Sequence, residues 1–156
     1  MPDRDGTLMK IAYVYEEMST CDRNHVGAVI SIDGRVIVSG YNGAPSGMKH
    51  CAHTCTCHRP GPRTLQDGRA CAPNCQALAA CRIAVHAEAN AIAFAARHGL
   101  RIAGGTLHTT LSPCYACSQL IINAGLRRVV FDRPYRDPSG INLLDLTTIN
   151  VQRYSA

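Results

Sequence analysis

Two short motifs rich in metal-ligand side chains constrain the fold of this chain more than any other feature. His86-Ala-Glu88 opens an Ala-rich segment that is predicted as a helix, and Pro113-Cys114-Tyr-Ala-Cys117 opens the next predicted helix. The segment 106–111, which lies between the two helices, is predicted as a strand. Both helix starts are therefore expected at the same end of one sheet, close to each other.

The side chains of these motifs suit a zinc ion that keeps one coordination position open. Cys114 and Cys117 share a helix face, and with His86 they offer two sulfurs and one nitrogen. Three protein ligands leave the fourth tetrahedral position for water, which is typical of catalytic zinc. Glu88 is too near His86 in sequence to be a convenient fourth ligand, but it is placed to accept a proton from that water. We therefore predict His86, Cys114 and Cys117 as zinc ligands and Glu88 as the catalytic residue.

Two other interpretations of the motifs are open at this point. The zinc site can be closed and structural if a cysteine-rich loop supplies a fourth ligand, although Glu88 then has no purpose. Cys114 and Cys117 can also form a redox dithiol, although that motif usually follows a βαβ unit near the amino terminus.

The other hydrophobic patterns predict a single α/β domain over residues 1–156. Asp33-Gly34 separates two β-branched runs and predicts a hairpin. Thr7 is expected to cap the first helix, Phe94 is expected in the core, and Pro113 is expected in the first turn of its helix. The predicted helices cover 7–19, 85–98, 113–124 and 139–146, and the predicted strands cover 26–32, 35–41, 106–111, 128–131 and 147–153. These elements predict a mixed central sheet of about five strands, with helices on both faces.

Cysteine usage indicates metal rather than disulfides. The chain has nine cysteines in 156 residues, and six of them lie between Cys51 and Cys81. No run approaches the ~20 apolar residues of a membrane-spanning helix, and no secretion signal is evident, so we expect a cytoplasmic, reducing environment. Residues 42–81 show neither helix nor strand periodicity, and we predict a Cys/His-rich metal-binding insertion there.

The motifs are similar to those of a known enzyme family. The H-x-E and P-C-x-x-C pair is the signature of zinc deaminases. Ser19-Thr-Cys-Asp-Arg23 and Gly40-Tyr-Asn-Gly43 narrow the resemblance to the deoxycytidylate (dCMP) deaminases of the cytidine deaminase-like superfamily. This resemblance implies a three-layer α/β/α fold, and it implies hydrolytic deamination of dCMP to dUMP, which supplies thymidylate synthesis.

The resemblance also implies roles for individual residues. Asn42 would contact the substrate sugar, Arg23 would lie near the 5′-phosphate, and the Ala87 backbone would donate to the pyrimidine carbonyl. Ser112 would lie against the departing amino group, and Tyr135 would close the pocket. A second, structural zinc would be held by Cys21, Cys51, Cys55 and Cys81, with His53 or Cys57 as alternatives to Cys55. Whether the remaining Cys and His residues bind a third metal is an open question.

Several of these residues can also have a purely structural role or no role in the site. Asn42 can be a turn residue, Arg23 a surface charge and Tyr135 ordinary packing. His108 stands where relatives have a different strand residue, and it can be either a strand residue without a role or a residue that alters contacts near the pocket.

The resemblance further implies dCTP and dTTP as effectors, with Mg²⁺ on the triphosphate, and a homohexamer. No membrane contact is expected, and nucleic acid is an unlikely partner. Two other functions are compatible with the same motifs. A tRNA adenosine deaminase has the same zinc core and would use the basic residues of the loop. A non-catalytic zinc-ribbon module would not need Glu88. The basic residues between Gly47 and Val85 are Lys49, Arg59, Arg63, Arg69 and Arg82.

Overall fold

A mixed sheet of five strands forms the centre of the described structure. The computed structural model describes residues 3–21, 24–48, 50 and 83–155. The strands lie in the order β2-β1-β3-β4-β5, with β1 antiparallel to both neighbours and with β3, β4 and β5 parallel. Their bounds are Gly27–Ile32 (β1), Arg35–Tyr41 (β2), Thr106–Leu111 (β3), Arg128–Arg133 (β4) and Asn150–Arg153 (β5). Strands β2, β3 and β4 therefore all run in the same direction.

Helices cover both faces of this sheet. The helices among the described residues are Arg4–Glu16 (α1), Ala87–Arg97 (α2), Tyr115–Asn123 (α3) and Ser139–Asp145 (α4). On one face, α1 packs through Leu8 and Ala12 against Val29. The opposite face carries the larger core, where residues of α2, α3 and α4 pack against alternate residues of β1, β3 and β4; that core includes Ala28, Ile30, Leu107, Val129, Ala87, Ala91, Ile121 and Leu144. The predicted three-layer α/β/α fold is confirmed.

The β1–β2 hairpin forms at the predicted dipeptide. Asp33 and Gly34 have φ angles of 52° and 78°, respectively. Positive φ at both central residues matches the right-handed twist of the flanking strands, and Asp-Gly adopts it with little strain.

Three local expectations were wrong. Asp3, rather than Thr7, caps α1, because the Asp3 carboxylate accepts the Gly6 backbone N–H at 2.9 Å. Thr7 lies inside the first turn, where its hydroxyl donates to the Asp3 carbonyl. Pro113 precedes the capping residue of α3 instead of lying in its first turn. Phe94 is 51% exposed and stacks on His98 at the outer face of α2.

No helix in the described part of the chain is long and apolar enough to cross a membrane. Most of the predicted insertion 42–81 lies outside the described residues. The prediction of one domain over 1–156 also includes residues outside them. Both stay predictions.

Candidate active site

The candidate site lies where three strands that run in one direction end. Asn42 follows β2, Ser112 follows β3, and Tyr135 lies two residues beyond β4. In open α/β sheets, ligands bind in the crevice outside the carboxyl ends of the strands. An open cavity occupies this position.

The two motifs meet at this edge of the sheet. His86 is the N-cap residue of α2, Cys114 is the N-cap residue of α3, and Cys117 lies in the first turn of α3. The His86 Nδ1 atom is 3.3 Å from the Cys114 Sγ atom and 3.4 Å from the Cys117 Sγ atom. All three ligand atoms lie within 4.8 Å of one another.

This donor set fits zinc. Bonds of about 2.3 Å to sulfur and about 2.0 Å to nitrogen in a tetrahedral site separate the nitrogen and sulfur ligands by about 3.5 Å. The observed separations of 3.3 and 3.4 Å are close to that value. Both sulfurs also lie at a helix amino terminus, which favours the thiolate form that zinc needs.

The two thiols share their protons unequally. A hydrogen bond from Cys117 stabilises the Cys114 thiolate and lowers the Cys114 pKa to about 4. The same bond, together with burial, raises the pKa of Cys117. The pair therefore loses one proton readily and resists losing the second. A dication between the sulfurs supplies the charge that allows both to be thiolates.

Glu88 is buried beside the metal-ligand cluster. Its side chain is 3% exposed, and its Oε2 atom lies 3.6 Å from the Cys117 Sγ atom. Burial raises the pKa of this carboxyl, while its hydrogen bond to a backbone N–H and the charge of His86 act in the opposite direction. A carboxyl with a raised pKa in a cleft is suited to accepting and donating protons near neutral pH.

The cavity wall contains most of the predicted substrate-contacting residues. Asn42, Ala87, Ser112 and Tyr135 all line it, and so does Cys21, which is buried. Arg23, Cys51, Cys55 and Cys81 lie outside the described residues. The structure therefore shows only Cys21 of the four predicted structural-zinc ligands.

Asn42 is a hydrogen-bonding centre and not a turn residue. Its Oδ1 atom accepts bonds from the Ser19 hydroxyl at 2.7 Å and from the Val26 backbone N–H at 2.8 Å. Its Nδ2 atom donates to the Asn24 carbonyl at 2.6 Å. Among the described residues, these bonds use both Oδ1 lone pairs and one of the two Nδ2 hydrogens. Positive φ among the described non-glycine residues occurs only at Asp33, so Asn42 needs no turn conformation.

Two glycines allow helices to approach the site closely. A Cβ atom on Gly40 of β2 would lie 2.3 Å from the Ala87 carbonyl oxygen, next to Glu88. A Cβ atom on Gly140 of α4 would lie 2.1 Å from the Pro113 carbonyl oxygen and 2.7 Å from the Cys114 carbonyl carbon. Any side chain at these positions would displace the backbone that carries Glu88 or Cys114.

Sequence reasoning missed several residues of the cavity wall. Asn24, Val26, Ala84, Leu111 and Arg136 line it in addition to the predicted residues. Val26 lies three residues after the Ser19–Arg23 motif and Leu111 lies two residues before the Pro113–Cys117 motif, so proximity in sequence could have found them. Arg136 follows Tyr135 directly, but no motif or periodicity singled it out.

His108 does not line the cavity. It lies on the face of the sheet that α1 covers, where its Nε2 atom contacts Asp5 of α1.

Comparison with known proteins assigns the family. Residues 2–133 match the family described as the cytidine and deoxycytidylate deaminase zinc-binding region. The chain belongs to this family. Among curated deaminases, the deoxycytidylate deaminase of Mycobacterium phage D29 is 42% identical over 138 residues, which cover 85% of this chain and 96% of that relative. The deoxycytidylate deaminase of Enterobacteria phage T2 is 32% identical, with coverage of 83% and 80%, respectively.

Solved deaminase structures show the same architecture. The dCMP deaminase of the cyanophage S-TIM5, in complex with dCMP and dUMP, superposes with a TM-score of 0.77 at 30% identity. The match covers 99% of this chain and 98% of that structure. The predicted resemblance to the deaminase family is confirmed, and so is the cytidine deaminase-like fold.

Proposed function

We propose that this protein is a zinc-dependent enzyme that deaminates dCMP hydrolytically to dUMP. One observation carries the proposal. A buried carboxyl, Glu88, lies 3.6 Å from one sulfur of a His/Cys/Cys cluster at the floor of an open cavity. A structural zinc site needs no proton-transfer group at this place, whereas hydrolysis of a C–N bond does. The S-TIM5 relative binds dCMP and dUMP, which supports a deoxycytidine nucleotide as the substrate.

His86, Cys114 and Cys117 would hold the zinc. When bound, zinc acidifies a water molecule and so supplies a nucleophile at neutral pH. Glu88 accepts the proton of the water that attacks C4 of the cytosine, and it delivers that proton to N3. The hydroxyl group now on C4 gives up the second proton, which passes through the same carboxyl to the amino group. The C4–N bond then breaks, and the amino group leaves as ammonia. The products are dUMP and ammonia, so the reaction consumes one water molecule.

The raised pKa of Glu88 suits both halves of this cycle. Burial disfavours the charged carboxylate, so the carboxyl binds a proton more readily than an exposed glutamate does. Glu88 can therefore hold the transferred proton until the leaving group takes it.

The cavity wall would orient the nucleotide. The Ala87 backbone N–H, in the first turn of α2, donates to the pyrimidine carbonyl. Asn42 donates its remaining Nδ2 hydrogen to a sugar hydroxyl. Ser112 lies against the departing amino group, and Tyr135 packs over the base. All four residues line the cavity, which supports these roles.

A structural zinc in the cysteine-rich segment is part of this proposal. Cys21 is its described member; it is buried and lines the cavity. Cys51, Cys55 and Cys81 would complete four thiolates, a donor set that is common in structural zinc sites. Such a site would order a segment that lacks the apolar spacing needed for its own core.

Resemblance to the family supports three further properties. We propose that dCTP and dTTP, with Mg²⁺, regulate the enzyme, that it assembles as a homohexamer, and that it is cytoplasmic. Each has a direct measurement: the rate with added triphosphates, the mass in solution, and fractionation of cells.

An assay of substrate choice tests the proposed function. Zinc-loaded protein is offered dCMP, cytidine and a tRNA anticodon arm, and release of ammonia is measured for each. We expect the highest kcat/KM for dCMP. Preferential deamination of adenosine in the anticodon arm would favour the tRNA deaminase alternative. No turnover of any of the three would favour a non-catalytic zinc module.

A further inference from the structure

The side chain of Asn90 joins the helix that carries Glu88 to the strand end that carries Asn42. Asn90 lies in α2, and its Nδ2 atom donates at 2.7 Å to the carbonyl oxygen of Tyr41, the last residue of β2. Asn42, which lines the cavity, follows Tyr41 directly. We propose that Asn90 is a positioning residue, which holds the proton-transfer group and the sugar-binding group at the separation that one nucleotide requires. This inference rests on the proposed function.

Asn90 is bonded directly to the metal-ligand motif. It lies one helical turn after His86, and its backbone N–H donates to the His86 carbonyl at 2.9 Å. Glu88 lies between these two residues, in the first turn of α2. Because the backbone of one helical turn is held by its own hydrogen bonds, a bond from the Asn90 side chain fixes the place of the whole turn. The residues that would hold zinc and move protons are thereby fixed relative to the end of β2.

The Tyr41 carbonyl lies on the open edge of the sheet. Among the described residues β2 is an outermost strand, and the Asn42 backbone N–H points inward, where it donates to the Val26 carbonyl at 3.1 Å. The backbone groups of successive residues in a strand point to opposite sides, so those of Tyr41 point outward. Asn90 therefore takes the place that a neighbouring strand would have at this carbonyl.

Two backbone bonds continue the same junction on the other side of Asn42. The Gly43 N–H donates to the Val85 carbonyl at 3.1 Å, and the Val85 N–H donates to the Gly43 carbonyl at 2.8 Å. Asn42 thus lies between a junction at Tyr41 and a junction at Gly43, and both lead to the start of α2. The backbone bonds are independent of side chains, whereas the bond at Tyr41 depends on Asn90.

Packing between α2 and β2 defines this alignment only weakly. The buried residues of α2 are Ala87, Glu88, Ala91 and Ala95, and a Cβ atom on Gly40 of β2 would lie 2.7 Å from the Ala91 backbone nitrogen. Small methyl groups interlock little with a strand, so a helix of this composition can shift along the strand at low cost. A shift of about 1 Å is enough to slow a reaction about 10²-fold. A directed hydrogen bond across the contact resists such a shift.

The test measures kcat and KM for dCMP per zinc-bound site, well below the melting temperature of each variant. We expect Asn90→Ala to lower kcat at least about tenfold while KM changes far less, because misalignment affects the transition state more than binding. Zinc content is expected to stay the same. A residue that only stabilises the fold would lower the melting temperature and leave this kcat unchanged. Asn123→Ala, an exposed change in α3, is the matched control.

Two further variants separate the hydrogen bond from packing, and they apply even if Asn90→Ala fails to fold. Asn90→Leu keeps the branched shape without a donor, and Asn90→Gln keeps the donor on a longer chain. The hydrogen bond predicts the higher kcat for Asn90→Gln, whereas packing predicts it for Asn90→Leu. Hydrogen exchange at the Val85 amide is expected to be faster in Asn90→Leu than in the wild type, because the junction has lost one of its bonds.

The outcomes distinguish this inference from the proposed function. Wild-type kcat in Asn90→Ala, or a higher kcat in Asn90→Leu than in Asn90→Gln, overturns the inference. Unchanged exchange at the Val85 amide in Asn90→Leu also overturns it. Absence of dCMP turnover in the wild-type enzyme would instead refute the proposed function, and the exchange measurement would still test the junction.

Discussion

The His108 Nε2 atom lies 2.9 Å from the Asp5 Oδ1 atom, and this contact joins the centre of the sheet to helix α1. Arg128 of β4 binds the same carboxylate through both of its terminal nitrogens, at 2.8 and 2.7 Å. His108 is 1% exposed, and its Nδ1 atom has no hydrogen-bond partner among the described residues. A neutral ring that donates from Nε2 leaves Nδ1 as a bare acceptor, which is easier to bury than an unpaired N–H.

This cluster predicts a loss of stability in acid. Arg128 lowers the Asp5 pKa from 3.8 to about 2, so the carboxylate contributes stability above pH ~4 that is lost as the pH falls toward 2. Burial lowers the His108 pKa below 6.5, although Asp5 opposes this shift. The unfolded chain therefore binds a proton at His108 more readily than the folded chain, and stability also falls as the pH drops below 6.5.

Substitutions separate the two contributions. We expect Asp5→Ala to destabilise the protein by about 1–3 kcal/mol at neutral pH, because two partners lose a charged acceptor. His108→Phe should flatten the dependence of stability on pH just below 6.5, with Glu17→Gln, an exposed change after α1, as the control. Urea unfolding between pH 3 and 8 measures these effects. An unaltered pH profile in both variants would show that the cluster does not couple folding to protons.

Glu88→Gln is expected to reduce turnover of dCMP by at least ~10²–10⁴-fold, the usual effect of losing a general acid–base group. The amide is nearly isosteric, so zinc content and thermal stability should stay close to those of the wild type. Stopped assays and elemental analysis of one preparation measure both quantities. Wild-type turnover in a zinc-loaded variant would remove Glu88 from the proposed mechanism.

Gly140→Ala is expected to lower both stability and turnover, because the new methyl group would meet the Pro113 carbonyl oxygen at 2.1 Å. Overpacking of this kind costs about 1–3 kcal/mol, and the shift that relieves it moves the backbone of Cys114. Asn142→Ala, an exposed change in the same helix, is the control. Melting temperature, zinc content and kcat are compared; equal values in the two variants would mean that α4 can withdraw without disturbing the ligand.

At least two zinc ions per chain are expected by elemental analysis of the active protein. Cys51→Ala should lose one ion and melt at a lower temperature, because structural zinc contributes about 10–16 kcal/mol in small zinc domains. Cys75→Ala, which is outside the proposed ligand set, should keep both ions. A single zinc in fresh, active protein would refute the structural site.

Local sequence patterns were sufficient to predict the architecture and the meeting of the two motifs. One strand separates two helix starts, and that topology alone brings His86 near Cys114. Contacts between residues that are far apart in sequence were less predictable. Tyr135 and Ser112 are joined by a hydrogen bond across 23 residues, and this bond helps place Arg136 at the cavity. Such bonds leave no periodic signal in the sequence.

The helix boundaries failed for a different reason. Asp3 and Thr7 are both good capping residues, and the choice between them depends on tertiary contacts. Tyr154 lies in the segment after β5, and its hydroxyl is 3.3 Å from the Asp3 carboxylate. This contact favours the start of α1 after Asp3 over a start after Thr7. Competition of this kind cannot be resolved within a single window of sequence.

The contact proposed between Asn42 and the substrate sugar would join substrate occupancy to the local folding of one cavity wall, because the other bonds of Asn42 hold that wall together. The Val26 backbone N–H donates to Asn42 Oδ1, and Asn42 Nδ2 donates to the Asn24 carbonyl. This wall therefore opens only when both bonds of the Asn42 side-chain amide break. A nucleotide that binds the closed wall must suppress that opening by the free energy of its own binding. Hydrogen exchange at a single backbone amide, that of Val26, should therefore slow in proportion to the fraction of enzyme that holds ligand.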